Sequence, residues 1–232
     1  LDGADLLPDV NLGRLSVTAT TELTTVVNKI VNYETNPPLT PDPGWFTRGS
    51  LVGDPSSSGI TTIFVNQWVR DQLLGLHYTQ IDSVYSGNYV SLMTTNYNKG
   101  GTLFTYRGWY GMSGMQSTNL QNLTNAGELA FAVIMTCDTG SFVNDTTCRS
   151  EAVFRAPNGG AVASVGTATT GTHTRYNNCM FAGVIDGVLN SGDFRVGPAL
   201  NTGKLAMYNS YNDAEADHVE IWMVWNSLMG DP

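Results

Sequence analysis

Cys137 is the residue of this chain best placed to do chemistry. It follows Leu129 to Met135 (LAFAVIM), the most continuous apolar run in the sequence, and opens a glycine-containing loop, Cys137-Asp138-Thr139-Gly140. A thiol set immediately after a central strand has its backbone held by the sheet while its sulfur faces a cleft. Its own N–H can then help hold the oxyanion formed when the sulfur attacks a carbonyl. The competing reading is a free cysteine used as a small core hydrophobe, the usual fate of an isolated cysteine. Cys148 and Cys179 suit that second reading better. Three cysteines are too few for a disulfide scaffold, and an odd number leaves one unpaired within the chain.

A nucleophilic thiol needs a proton acceptor or a nearby cation, because a free thiol with pKa near ~8.5 is only a few per cent ionised at neutral pH. The chain has three histidines, and only His173, in Thr169-Thr170-Gly171-Thr172-His173-Thr174-Arg175, falls at a strand end. It is either a base that reaches Cys137 from a neighbouring strand or a loop histidine bonded to backbone. His77 and His218 read as surface residues. Arg107 and Arg175 either place positive charge near Cys137 or pair with acidic neighbours. Gly108 and Gly111 can bring a backbone amide close to a substrate carbonyl as a second oxyanion donor, and they have an equally good conformational reason to exist in a sharp loop.

These residues need elements to hold them. Val10 to Val17 reads as a strand, and Thr20 and Thr21 then cap a helix carrying Leu23, Val26, Val27, Ile30 and Val31. The proline-rich run 36–43 ends that helix, Trp45 to Val52 is the next strand, and a helix from about Thr62 to Leu74 presents Ile63, Phe64, Gln67, Trp68 and Leu74 on one face. A short strand Gln80 to Tyr85, a helical Val90 to Asn98 and a strand Thr102 to Tyr106 follow, with Leu120 to Ala126 a polar connection. Leu129 to Met135 has the composition of a strand covered on both faces. A loop from Asp138 to Thr147 leads to a helix near Arg149 to Arg155 and a buried strand, Gly160 to Ala168. Tyr176 to Leu189, Gly197 to Tyr208 and His218 to Trp225 have helical character. Repeated strand–helix–strand units predict an α/β fold with a mainly parallel sheet and helices on both faces, whose sites lie beyond the carboxyl ends of the strands. Three such ends are candidates: Tyr106 to Gly114, Cys137 to Gly140 and Ala168 to His173.

Composition excludes several functions. The formal charge of −9 and the scarcity of lysine leave no basic run to track a phosphate backbone, so nucleic acid is not a partner. No apolar stretch is long enough to span a membrane. Asn, Thr, Gly and Ser carry the polar surface, and sequons at Asn122-Leu123-Thr124 and Asn144-Asp145-Thr146 suit a secreted or cell-surface protein. No zinc pattern, P-loop or dinucleotide fingerprint is present. Gly53-Asp54-Pro55 and Asp138-Thr139-Gly140 are oxygen-rich loops without the run of carboxylates that a strong calcium site needs, so a structural calcium has no strong motif behind it. Trp45, Trp68, Trp222 and Trp225 read as core.

Several segments in order resemble the gingipain family of cysteine peptidases. They are Pro8 to Ser16, Val31-Asn32-Tyr33-Glu34, Phe131 to Gly140, Cys148 to Ala156, Gly160-Ala161-Val162-Ala163 and Trp225 to Pro232. The resemblance implies a three-layer caspase-like fold, with residues 1–232 a single catalytic subdomain excerpted from a longer chain. It places Cys137 on the family's nucleophile. The family's general base is a histidine between glycines in the loop after the preceding strand, where this chain reads Tyr106-Arg107-Gly108-Trp109-Tyr110-Gly111. Trp109 and Tyr110 thus stand where the base is expected, and His173 becomes the provisional base.

Two functions follow. One is an extracellular cysteine endopeptidase acting on peptides or proteins, with Cys137 as nucleophile, His173 as base and no organic cofactor. The other is a binding or structural module that keeps the fold and cleft without efficient catalysis. Under either, other domains of the same polypeptide are expected partners.

Overall fold

A computed structural model describes residues 8–143 and 146–232, with backbone alone over 212–225. The second sequon's Asn144-Asp145 and the side chains of His218, Trp222 and Trp225 lie outside the described residues.

One apolar run organises the molecule. β4 (Ala130–Met135) is buried at all six positions, as a strand must be when helices cover both faces. Side chains alternate across a strand. Phe131, Val133 and Met135 therefore enter one core layer, while Ala130, Ala132 and Ile134 enter the other. β3 (Leu103–Arg107) and β5 (Ala161–Thr167) flank β4 in parallel, with Arg107 opposite Met135 and Gly166 opposite Ile134. β1 (Arg48–Gly53) and β2 (Gln80–Val84) extend the parallel sheet on one side. β6 (Asn226–Met229) closes the other edge antiparallel to β5, giving the order β2-β1-β3-β4-β5-β6.

Helices α2 (Thr61–Gly75), α6 (Thr174–Asn190) and α7 (Val196–Trp225) cover the Val133 face through Val69, Leu73, Met180, Val184 and Leu200. Helices α3 (Tyr89–Asn98), α4 (Ser117–Gln121) and α5 (Arg149–Arg155) cover the Ile134 face. Helix α1 (Thr20–Thr35) packs on the same side, with Val26 and Ile30 against Phe154 of α5 and Met229 of β6. The molecule is a three-layer α/β fold with a mainly parallel sheet.

Several elements differ from the pattern read in the sequence. Val10 to Val17 is not a strand: Arg14 alone bridges to Met229, Val10 and Leu12 face solvent, and Asn11 instead bonds Asn201 of α7 at 2.6 Å. Trp45 belongs to a 3-10 turn, Pro43–Thr47, where its indole N–H donates to the Pro38 carbonyl at 2.6 Å. The buried face of α2 carries Thr62, Asn66, Val69 and Leu73, leaving Phe64 and Leu74 exposed. That face turns on Asn66, which donates to the Val52 carbonyl (3.1 Å) and accepts from Thr105 (2.7 Å). Leu120 and Leu123 are fully buried rather than part of a polar connection. The last two helical segments are one helix, and β6 is a strand because β5 offers it a free edge.

α5 is held by a buried ion pair, Glu151 to Arg155 at 2.6 Å, which also grips Ser16: the Arg155 Nε–H donates to the Ser16 carbonyl at 2.6 Å and the Ser16 hydroxyl donates to Glu151. Removing one partner strands the other charge. Glu151→Ala should lower stability by about 3 kcal/mol in denaturant unfolding, while Glu151→Leu combined with Arg155→Met should recover most of it.

α1 docks on the end of α5 through Lys29, whose ammonium donates to the carbonyls of Phe154 (2.7 Å) and Ala156 (3.3 Å). Burial pushes its pKa down to about 7. The unfolded chain, with a lysine pKa near ~10.4, then holds the extra proton between those values, so stability should rise with pH over that window. Thermal unfolding at pH 7 and pH 9 should show this rise in the parent chain and a smaller one in Lys29→Met.

Candidate active site

Three parallel strands in register end together, and their loops build the site. β4 stops at Met135, and Thr136 is pinned toward β3 by its hydroxyl, which donates to the Gly108 carbonyl at 3.0 Å. Cys137 comes next, 6% exposed, with Sγ 2.8 Å from the Thr172 hydroxyl at the end of the β5 loop. No described acceptor takes the Cys137 N–H. Asp138 then adopts φ +60, a left-handed conformation that Asp tolerates better than most residues, and it turns the chain sharply away from the strand.

The turn is laid flat on β5. The Asp138 N–H donates to the Thr169 carbonyl (2.9 Å) and the Gly140 N–H to the Thr167 carbonyl (3.0 Å). A Cβ on Gly140 would stand 2.6 Å from the Gly166 backbone, which is why glycine occupies both positions. Thr139 locks the turn from inside: its single O–H is shared between the carbonyls of Ile134 and Thr136, 2.7 and 2.8 Å away, and its oxygen accepts from the Thr167 N–H. The backbone conformation of this turn gives Asp138, Thr139 and Gly140 each a structural reason for its identity. Among the described residues no group of three His, Cys, Asp or Glu side chains converges on one point.

His173 lies one residue beyond the threonine that touches the sulfur. It is the N-cap of α6, exposed, with Nδ1 accepting from the Arg175 N–H at 3.3 Å and its ring edge-on to Tyr176 at 5.7 Å. A neutral ring with Nδ1 so engaged carries its proton on Nε2, so taking the Cys137 proton requires that cap bond to break. β5 does neighbour β4, and this brings residue 172, rather than 173, to the sulfur.

Arg107 closes the other side. It ends β3 on the Leu103 and Thr105 face and is 1% exposed. Its guanidinium donates to the Met135 carbonyl, to Asn178 Oδ1 (2.9 Å) and to the Thr174 carbonyl (3.3 Å). No carboxylate among the described residues pairs with it. Burial pushes its pKa down to about 9, against the raising influence of Tyr106 and Cys137, and it stays charged at neutral pH. Arg175 instead lies over the Tyr176 ring, 4.7 Å from its centroid. Of the other thiols, burial pushes Cys148 up to about 12 and raises Cys179.

Gly108 has a steric reason to be glycine: a Cβ there would sit 2.4 Å from the Tyr106 hydroxyl. Gly111 has a conformational one, φ +84 with open space around it. Between them Trp109 and Tyr110 are half exposed at the rim. Beneath this loop Ser113 donates to Asp54 Oδ2 at 2.5 Å and lies 2.8 Å from the Tyr106 hydroxyl, so the Gly53-Asp54-Pro55 loop serves as a polar foundation.

Sequence reasoning missed Thr172, Asn177 and Asn178. Asn177, 3% exposed, donates to the Thr172 hydroxyl at 3.2 Å, and Asn178 bridges Arg107 to Thr61. The available signal was two adjacent amides opening a helix directly after a candidate strand end.

Cavities of about 490 Å³ beside Lys29 and about 620 Å³ beside Arg14 and Phe142 are not lined by Cys137.

The chain belongs to Peptidase family C25, whose model matches residues 1–232. It is 28% identical over 169 residues to gingipain R2 of Porphyromonas gingivalis, a match covering 68% of this chain and 23% of that protein. Its backbone superposes on a complex of the RgpB pro- and mature domains from the same organism with TM-score 0.87, at 22% identity, over 100% of this chain and 57% of that one. It superposes on the Arg-specific cysteine proteinase gingipain R with TM-score 0.84, at 24% identity, over 99% of this chain and 56% of that one. The chain therefore spans less than a quarter of gingipain R2 and little more than half of the two solved chains. The fold is the caspase-like fold of gingipains, and the family is one of cysteine peptidases.

The turn after Cys137 depends on a single hydroxyl. Thr139→Val keeps the shape and takes the hydroxyl from the Thr136 carbonyl and the Thr167 N–H, while the Ile134 carbonyl still accepts from the Thr136 N–H, so it should cost about 1–3 kcal/mol in denaturant unfolding. Thr139→Ser should restore most of that loss.

Proposed function

We propose that this chain is the nucleophile-bearing part of an extracellular cysteine endopeptidase. The observation that carries the reading is Cys137 at the carboxyl end of the central parallel strand, its N–H unengaged, in a chain of family C25. Once its cap bond has opened, His173 takes the Cys137 thiol proton, Sγ attacks the peptide carbonyl, and the oxyanion is held by the Cys137 amide together with an amide of the Gly108 to Gly111 loop. The C–N bond then breaks, the departing amine takes that proton from His173, and water hydrolyses the thioester, releasing the acid and restoring the thiol. Trp109 and Tyr110 offer apolar contact to substrate side chains at the rim. Export is supported by the sequon at exposed Asn122 and by the gingipain relatives; no helix among the described residues is long and apolar enough to cross a membrane. Further domains of the same polypeptide are its expected partners, since the relatives are much longer.

A second reading, a binding module without efficient catalysis, is favoured by one observation: His173 is committed to capping α6. Labelling with a peptide-based thiol electrophile separates the two. The peptidase reading predicts labelling faster than that of the unfolded chain, none in Cys137→Ala, and peptide cleavage reduced about 100-fold or more in His173→Ala. Labelling no faster than an unfolded thiol, with no cleavage of any peptide pool, leaves the binding module.

A further inference from the structure

The site holds a cation that the peptidase reading does not use. Arg107 is fully enclosed, and every acceptor it bonds among the described residues is neutral: the Met135 carbonyl, Asn178 Oδ1 and the Thr174 carbonyl. Burying a guanidinium without a carboxylate is costly, and such a charge is retained where another negative charge forms. Its position says where. One arm rests on residue 135 of β4 and the other on residue 174 of α6, and two residues inward from each of these the Cys137 sulfur and the Thr172 hydroxyl meet.

The surroundings of the sulfur agree. Asn177 fills one lone pair of the Thr172 oxygen with an N–H, leaving the hydroxyl proton free to point at Sγ. Thr172 immediately precedes the N-cap of the 17-residue α6, where the helix dipole favours negative charge. The Asn177 Oδ1 is buried without a partner, so its side chain is oriented for the Thr172 bond and not by bonds on its other side.

We propose that Arg107 is the charge-compensating partner of Cys137, supplying electrostatically what a histidine ion pair would otherwise supply, with the Thr172 hydroxyl, backed by Asn177, donating to the charged sulfur. The proposal rests on Cys137 being the nucleophile. It divides the labour differently from a thiol–imidazole pair: attack needs only Arg107 and Thr172, whereas His173 is needed only to protonate the leaving amine. A site so built reacts readily with carbon electrophiles whose leaving group needs no proton. It also does so over a pH range in which a histidine would change charge.

The test is alkylation of Cys137 by iodoacetamide, in which Sγ bonds to the methylene carbon and iodide departs, followed by peptide mapping from pH 5 to 9 on the folded chain. The parent rate at pH 6 should stay within about threefold of that at pH 8, and His173→Ala should leave this profile intact. Arg107→Lys should keep its shape, whereas Arg107→Gln should lose at least about tenfold at pH 6 and approach the parent at pH 9. Thr172→Val, a change confined to one hydroxyl, should lose about threefold at pH 6. A folded Arg107→Gln with the parent's profile overturns the proposal while leaving the nucleophile standing. If Arg107→Gln does not fold, an unchanged profile in Thr172→Val overturns it, provided the parent also reacts no faster with iodoacetate, relative to iodoacetamide, than the unfolded chain does. Silence of Cys137 in the parent at every pH overturns the nucleophile itself.

Discussion

Parallel pairing of β4 with β3 on one side and β5 on the other is the constraint on which the rest of the molecule depends. Because all three run the same way, their carboxyl ends arrive at one edge, and the loops that leave them supply a thiol, a guanidinium and a helix N-terminus within a few residues of one another. The pairing requires β4 to be apolar on both faces, and the two helical layers exist to cover it. Antiparallel β6 caps the far edge and touches the turn after Cys137 through Ser227, whose hydroxyl donates to the Gly140 carbonyl at 3.2 Å. The site is thus a by-product of sheet geometry sharpened by a handful of polar side chains.

Those polar side chains work as clasps. Thr136 ties β4 to the β3 loop, Thr139 ties the turn after Cys137 to itself and to β5, and Arg107 ties the ends of β3 and β4 to the start of α6. Each satisfies backbone carbonyls that would be buried without partners where regular pairing stops. Arg107 alone brings a full charge, and placing it beside a thiol is the difference between a structural clasp and an electrostatic one. Neither the exposed aromatic pair Trp109-Tyr110 nor the capped His173 contributes the sulfur's hydrogen-bond partner.

Much of this was legible in the amino-acid sequence because it follows from local periodicity. The LAFAVIM run has no amphipathic alternative, so β4 and the position of Cys137 could be read directly, as could α5 from Arg149 to Arg155. What depends on distant partners was not legible. Asn226 to Met229 is a strand only because β5 presents an open edge, and Val10 to Val17 meets that sheet at Arg14 alone while Asn11 bonds Asn201 of α7. The partner of the sulfur was invisible for a similar reason: Thr172 is one of five threonines from Thr167 to Thr174, and nothing local distinguishes it. Arg107 carried a faint signal, a charge at the end of an otherwise apolar strand, whose meaning depended on whether that strand was buried at every position.

The central claim is that Cys137, with its own amide and a buried cation beside it, is built to attack a carbonyl. It is tested most directly by the crystal structure of the chain covalently trapped by a peptide aldehyde. The account predicts a bond from Cys137 Sγ to the former carbonyl carbon, with the new oxygen within about 3.1 Å of the Cys137 amide nitrogen and Arg107 still on the Met135 and Thr174 carbonyls. An adduct on Cys148 or Cys179, or an oxygen on Cys137 turned away from that amide into solvent, would contradict it.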